Sequence, residues 1–292
     1  MRGTAAIAFI LFPACCLSLL VVPAAVPRCR VTRWALHGNA GQNMKISVGG
    51  DPFRETTAAA SAVETSTALS RAREVFFEPA FRNSMAPMAA AGAILGPNLD
   101  NYHSAFGVLT YKEPIELSVS GHLLVTTDWW VPPLFAFAGA GIGGLYILLD
   151  AALETPQPQR EPVWRDIFIC ISLFSFQVHV IPTYYLSGLL TAAGCPYWVL
   201  VASLAVIAER VFSLFDATRA GLVVSLATAT LGPLIEVFLV NATDLYVYNG
   251  ADLLGVDSWI PVVYFCGGPA VGNLARAVYA KLLASEEKEV AA

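Results

Sequence analysis

The chain has 292 residues, 56% of them hydrophobic and 13% charged, with a formal net charge of −5. A soluble domain carries about 25% charged residues, so a water-facing fold of this size would lack the polar surface to cover itself. Helices in lipid avoid that problem because their backbone groups bond internally, and the acidic balance argues against nucleic acid as a partner.

The first 27 residues, MRGTAAIAFILFPACCLSLLVVPAAVP, place Arg2 before a long apolar run and end in small residues. That is the pattern of a secretory signal peptide, or of a retained membrane helix. Arg28, Arg30, Arg33 and Lys45 then follow with no acid before Asp51. A basic, acid-poor stretch after a signal resembles the bipartite leader of complex-plastid proteins, or a disordered basic tail. Residues 28–85 read as a transit-like, disordered linker, with a short helix near 60–75.

Residues 86–282 predict an all-α integral membrane domain, a six-transmembrane-helix bundle. The spans are 88–110, 129–149, 167–190, 196–215, 221–241 and 259–282, with a polar tail over 283–292. The first is a poor span, because it holds Pro97, Asp100 and His103. Short connections predict antiparallel neighbours. The connections on one side carry Arg71, Arg73, Arg82, Arg160, Arg165, Arg210, Arg219, Arg276, Lys281 and Lys288, whereas the other side carries Lys112. That asymmetry is a positive-inside signal and predicts both ends of the bundle on the basic side.

The second span opens DWWVPP. Trp129 and Trp130 suit the headgroup level, and Pro132 and Pro133 suit a first helical turn whose N–H groups lack intrahelical partners. Gly139, Gly141, Gly143 and Gly144 follow. Glycines at i and i+4 allow close helix approach, and they equally leave a slot for a flat apolar ligand.

WWVPP with Gly143, Leu145, Tyr146 and Asp150 resembles the second span of the Insig (insulin-induced gene) proteins. FDATRAG at 215–221 resembles the family's motif after its fourth span. SWIPVVYFCGGPAVGNLAR at 258–276 carries Ser258, Trp259, Pro261, Phe265, Gly267, Gly268, Gly272, Asn273 and Arg276 of the last-span pattern. The order and spacing match over about 129–280.

The resemblance implies a non-enzymatic regulatory protein of the endoplasmic reticulum. Such a protein binds an oxysterol within the bundle and retains sterol-sensing partners such as Scap and HMG-CoA reductase. It implies a partner-binding role for Asp216, beside Arg219; sequence alone reads that pair as a local ion pair of little worth. Phe174, Phe176, Tyr184, Tyr185, Tyr197 and Trp198 are the aromatics expected to line a sterol or isoprenoid slot. The chain departs from the family in its Pro-rich second loop, its third span, its leader and the Glu209–Arg210 interruption of its fourth span.

Six cysteines without a CxxC pair and four histidines without ligand spacing predict no disulfide framework, metal or cofactor. Asp100 and His103, three apart on one helix face, motivate a second reading: a plastid membrane enzyme, or an assembly factor, of isoprenoid or pigment metabolism. Glu236 lies deep in the fifth span, and Asn241-Ala242-Thr243 fits a glycosylation sequon at the membrane edge.

Overall fold

The computed structural model describes residues 52–155 and 181–291. The chain divides into two compact units, Met1–Thr65 and Ser66–Ala292. Helix α1 spans Pro52–Phe77, and α2 spans Pro79–Ala105. Strands β1 (Leu109–Tyr111), β2 (Ile115–Val119) and β3 (His122–Thr127) lead into α3 (Val131–Ala152). Then come α4 (Ile181–Ala192), α5 (Tyr197–Phe215), α6 (Arg219–Ala242), β4 (Tyr246–Tyr248) and α7 (Ile260–Ala291).

Three helices among the described residues are long and apolar enough to cross a membrane: α3, α5 and α6. They match the second, fourth and fifth expected spans. The six-span count is reached only in part. Helices α2 and α7 are long, at 27 and 32 residues, but polar side chains such as Asn98, Asp100, Asn101 and Arg276 dilute their apolar length. Most of the expected third span lies outside the described residues, as do the leader and the Pro-rich second loop. The outward side chains of α6, such as Leu231 (58% exposed) and Phe238 (64%), face no protein and suit lipid.

Several boundaries differ from the sequence reading. The helix expected over 60–75 is a 26-residue element from Pro52. Helix α2 starts at Pro79, continues through Pro87 and Pro97, and stops at Ala105 rather than running to 110. The stop is a Schellman motif: Gly107, at φ +71°, donates to Ser104 O, and Val108 N donates to His103 O at 2.8 Å. The expected polar tail continues α7 to Ala291. Nor is the domain wholly helical. Strand β1 pairs antiparallel with β4, and β2 with β3 across a turn in which Ser120 and Gly121 both have positive φ.

Glycine sets the closest helix contact. A Cβ at Gly92 would collide with the Phe135 carbonyl, and one at Gly139 would come within 2.6 Å of Met88 O. Gly143 meets Met88 and Ala275, and Gly144 meets Met85 and Phe81. Partners fall in number along α2 as they rise along α3, so the two helices are antiparallel. The glycine seam expected from Gly139 and Gly143 is therefore a helix–helix contact; Gly141 faces open space. Helices α6 and α7 also run antiparallel, with Ser225 against Gly268 and Gly232 against Tyr264.

Candidate functional site: a buried charge cluster

Asp150 lies in the last turn of α3, Asp216 caps the end of α5, and Arg276 lies on α7. Arg276 forks onto Asp150, with Nε to Oδ2 at 2.6 Å and Nη2 to Oδ1 at 2.9 Å. Its Nη1 donates to Asp216 Oδ1 at 3.0 Å. Side-chain exposure is 12% for Arg276, 3% for Asp150 and zero for Asp216. A planar fork suits two carboxylates better than a point ammonium does.

Neutral groups complete the shell. Tyr146 OH donates to Asp216 Oδ2 at 2.7 Å, and the guanidinium stands 4.9 Å above the Tyr146 ring. Gly272 gives that ring its space, since a Cβ there would overlap it. Thr218 Oγ1 donates to Asp216 Oδ1 at 2.6 Å and accepts from Arg276 at 3.1 Å. It also accepts from Gly221 N at 2.9 Å, which caps the start of α6. Asn273 Nδ2 donates to Phe215 O at 3.0 Å, taking a carbonyl left free where α5 ends. Between the two helices Ala217 is held at φ +55°, a left-handed conformation that costs a residue with a Cβ.

This arrangement corrects the expected Asp216–Arg219 ion pair. The partner of Asp216 is Arg276, and Arg219 is exposed with no ion pair among the described residues. Local spacing could not reveal a partner 60 residues away. Both oxygens of Asp150 likewise accept from Arg276, and Arg71 Nη2 donates to Ala152 O at 2.8 Å beside it, closing the C-terminal end of α3.

A second polar cluster lies toward the opposite ends of the same helices. Glu236 accepts hydrogen bonds from the hydroxyls of Tyr246, Tyr264 and Tyr248, the last at 3.0 Å. Tyr111 OH donates to Asp100 Oδ2 at 3.2 Å. Burial first, and the nearby carboxylates second, hold the Tyr111, Tyr246 and Tyr248 hydroxyls protonated well above the usual tyrosine range. Glu236, without an assignable partner in the sequence, thus ties α6 to β4 and α7.

Asp100 and His103 share a helix but not a hydrogen bond. Ser187 Oγ donates to Tyr184 O at 3.0 Å, so it accepts from His103 Nε2 at 2.8 Å. The imidazole stacks on Tyr184 and meets Trp259 edge-on. Of the expected slot-lining aromatics, Phe174 and Phe176 lie outside the described residues. Tyr184 is buried, and Tyr185 packs edge-on against Tyr102 and Phe106. Tyr197 and Trp198 are 54% and 72% exposed at the start of α5. The four described aromatics therefore do not converge on one space.

The remaining motif residues are structural in this geometry. Val131 opens α3, with Pro132 and Pro133 in its first turn. Trp129 is 65% exposed, whereas Trp130 is buried and stacks on Tyr246. Trp259 is buried just before α7, and Pro261 lies in that helix's first turn. Gly268 admits Ser225, and Gly267 meets nothing within 4 Å. Asn241 Nδ2, the sequon nitrogen, donates to Val237 O and Leu254 O at 2.7 and 2.8 Å. Cys195 and Cys266 are free thiols. No group of three or more metal-ligating side chains occurs among the described residues.

No protein-family model matches the chain. It is similar to the insulin-induced gene 1 proteins of Xenopus tropicalis and Homo sapiens, 33% identical to each over 153 residues. The alignments cover 52% of this chain and 57% and 52% of those proteins, so the chain spans about half the length of the curated relatives it matches. In fold it is similar to the crystal structure of a mycobacterial Insig homolog, MvINS from Mycobacterium vanbaalenii. That match has a TM-score of 0.52 and 20% identity, and covers 68% of this chain and 95% of the other. A cross-linked trimer of MvINS gives a TM-score of 0.51 at 21% identity. The sequence likeness supports the Insig family for this membrane protein, and the structural likeness shows the fold.

Proposed function

We propose that the chain is a regulatory membrane protein of the Insig type, which takes up a sterol or related isoprenoid between its helices and retains a membrane partner. One observation carries this reading. The three stretches that resemble the family meet in a single buried cluster, through Tyr146 and Asp150, through Asp216, and through Asn273 and Arg276. Charged groups this well satisfied rigidify a defined scaffold. Asp216 serves retention indirectly, because its side chain has no exposed surface. It fixes the α5–α6 corner, where Ala217 and Arg219 are exposed to a partner. Asp100 and His103 spend polar atoms on Tyr111 and Ser187, which favours this reading over proton chemistry.

A photoreactive sterol applied to membranes containing the full chain is the test. Labelling between α4 and α6 that excess unlabelled oxysterol suppresses is the expected result; labelling indifferent to competitor would sink the ligand assignment. A C-terminal fluorescent fusion then separates the two membranes proposed from resemblance and leader: reticular fluorescence for the endoplasmic reticulum, plastid fluorescence for the bipartite leader.

A further inference from the structure

The β2–β3 ribbon is apolar where a loop between helices should be polar. Ile115, Leu117, Val119, Leu123 and Leu124 are 43–59% exposed. Between residues 115 and 127 the one acidic or basic side chain, His122 aside, is Glu116. The paired residues Leu117 and Val125 share a face with Ile115 and Val119. The ribbon does not swing freely, because Asn101 of α2 grips the β3 backbone. Its Nδ2 donates to Leu124 O at 3.1 Å, and its Oδ1 accepts from Thr126 N at 2.8 Å.

We infer that this ribbon lies along the membrane surface on the charge-poor side, with its apolar side chains set into the lipid headgroup boundary. Position supports lipid as the occupant. Helix α3 is of membrane-crossing length and begins at Val131. Thr127 ends the ribbon four residues earlier, a reach of about 14 Å at most. Exposed Trp129 stands between them, the residue type that settles at headgroup level. The depth is limited from the other direction. Among the described residues β2 pairs only with β3, so its outer backbone groups need water or headgroups and cannot enter hydrocarbon. An interfacial placement satisfies both constraints, as it does for amphipathic helices lying in the membrane plane.

The test uses the full chain in phosphatidylcholine vesicles, with Leu117→p-benzoylphenylalanine and, separately, Leu124→p-benzoylphenylalanine. Phe238→p-benzoylphenylalanine on α6 is the lipid-facing control, and Glu287→p-benzoylphenylalanine the aqueous one. After illumination, mass spectrometry should find phospholipid adducts at both ribbon positions within about twofold of the Phe238 yield, since interfacial side chains reach the acyl boundary. A crosslinked dimer as the main product would overturn the inference in favour of strand pairing between copies. Adduct yields no higher than at Glu287 would overturn it in favour of a water-exposed ribbon. Absence of adducts at Phe238 as well would overturn the inference together with the membrane placement of α6 on which it depends.

Discussion

The bundle handles buried carboxylates differently at its two ends. At the basic end, Asp150 and Asp216 share one guanidinium, with Tyr146 and Thr218 completing the shell. At the other end, Glu236 is held by three tyrosine hydroxyls, with no cation among the described contacts. Asp257, just before α7, has neither device. It is 3% exposed, and its Oδ2 has no partner among the described residues. Burial first, and the nearby Asp252 second, push its pKa up to about 6. The contrast separates positions that need a charge from positions that need only a hydrogen-bond acceptor or can lose the proton-binding group altogether.

Substitution sharpens that contrast, with thermal unfolding of the detergent-purified protein as the readout. Arg276→Met should have the largest effect, a loss of about 3–5 kcal/mol, because it strands two buried carboxylates. A loss as small as that of a surface charge would mean water reaches the cluster. Asp257→Asn should act in the opposite direction, gaining on the order of 1–3 kcal/mol near pH 7.5. The sign follows from the raised pKa: the native protein is favoured while Asp257 keeps its proton, and that contribution is lost as pH rises through about 6. The advantage of the variant should therefore shrink as pH falls below about 6 and vanish near pH ~3, below the usual aspartate value of about 3.9. An advantage that did not change with pH would exclude titration of Asp257 as its source.

Glu236→Gln should cost only about 1 kcal/mol, because the amide carbonyl still accepts from tyrosine and the hydroxyl oxygens can accept from the amide nitrogen. A loss as large as that of Arg276→Met would show that the tyrosine cage requires the negative charge. The smallest effect is expected at the α5–α6 corner. Ala217→Gly should stabilise by about 0.5–1 kcal/mol, since glycine adopts the left-handed conformation without a Cβ clash. Destabilisation there would show that the alanine methyl packs usefully.

The parts legible in the sequence were those written locally. The apolar lengths of α3, α5 and α6 needed no partner to be read, and the Gly139/Gly143 spacing announced a close helix contact. Two further boundaries are also written in local sequence. Phe106-Gly107 marks the end of α2 through a glycine at C′, and Val119-Ser120-Gly121-His122 sets a two-residue turn between alternating strands. Other features could not be read locally at all. Arg276 is joined to an aspartate 126 residues earlier, and Glu236 to tyrosines on two other elements. The aromatic candidates show the same limit from another side. Residue type said that Tyr184, Tyr197 and Trp198 carry rings, but only packing decided that Tyr184 points inward and the other two outward.

The position of Arg276 also orders the birth of the protein. Synthesis delivers Asp150, then Asp216, and only 60 residues later the arginine that holds both. A chain stopped before α7 carries two acids that belong in a buried site and have nothing to balance them. Helix α7 thus supplies the charge that completes the site, and the two carboxylates wait for it in any chain that has not yet reached Arg276.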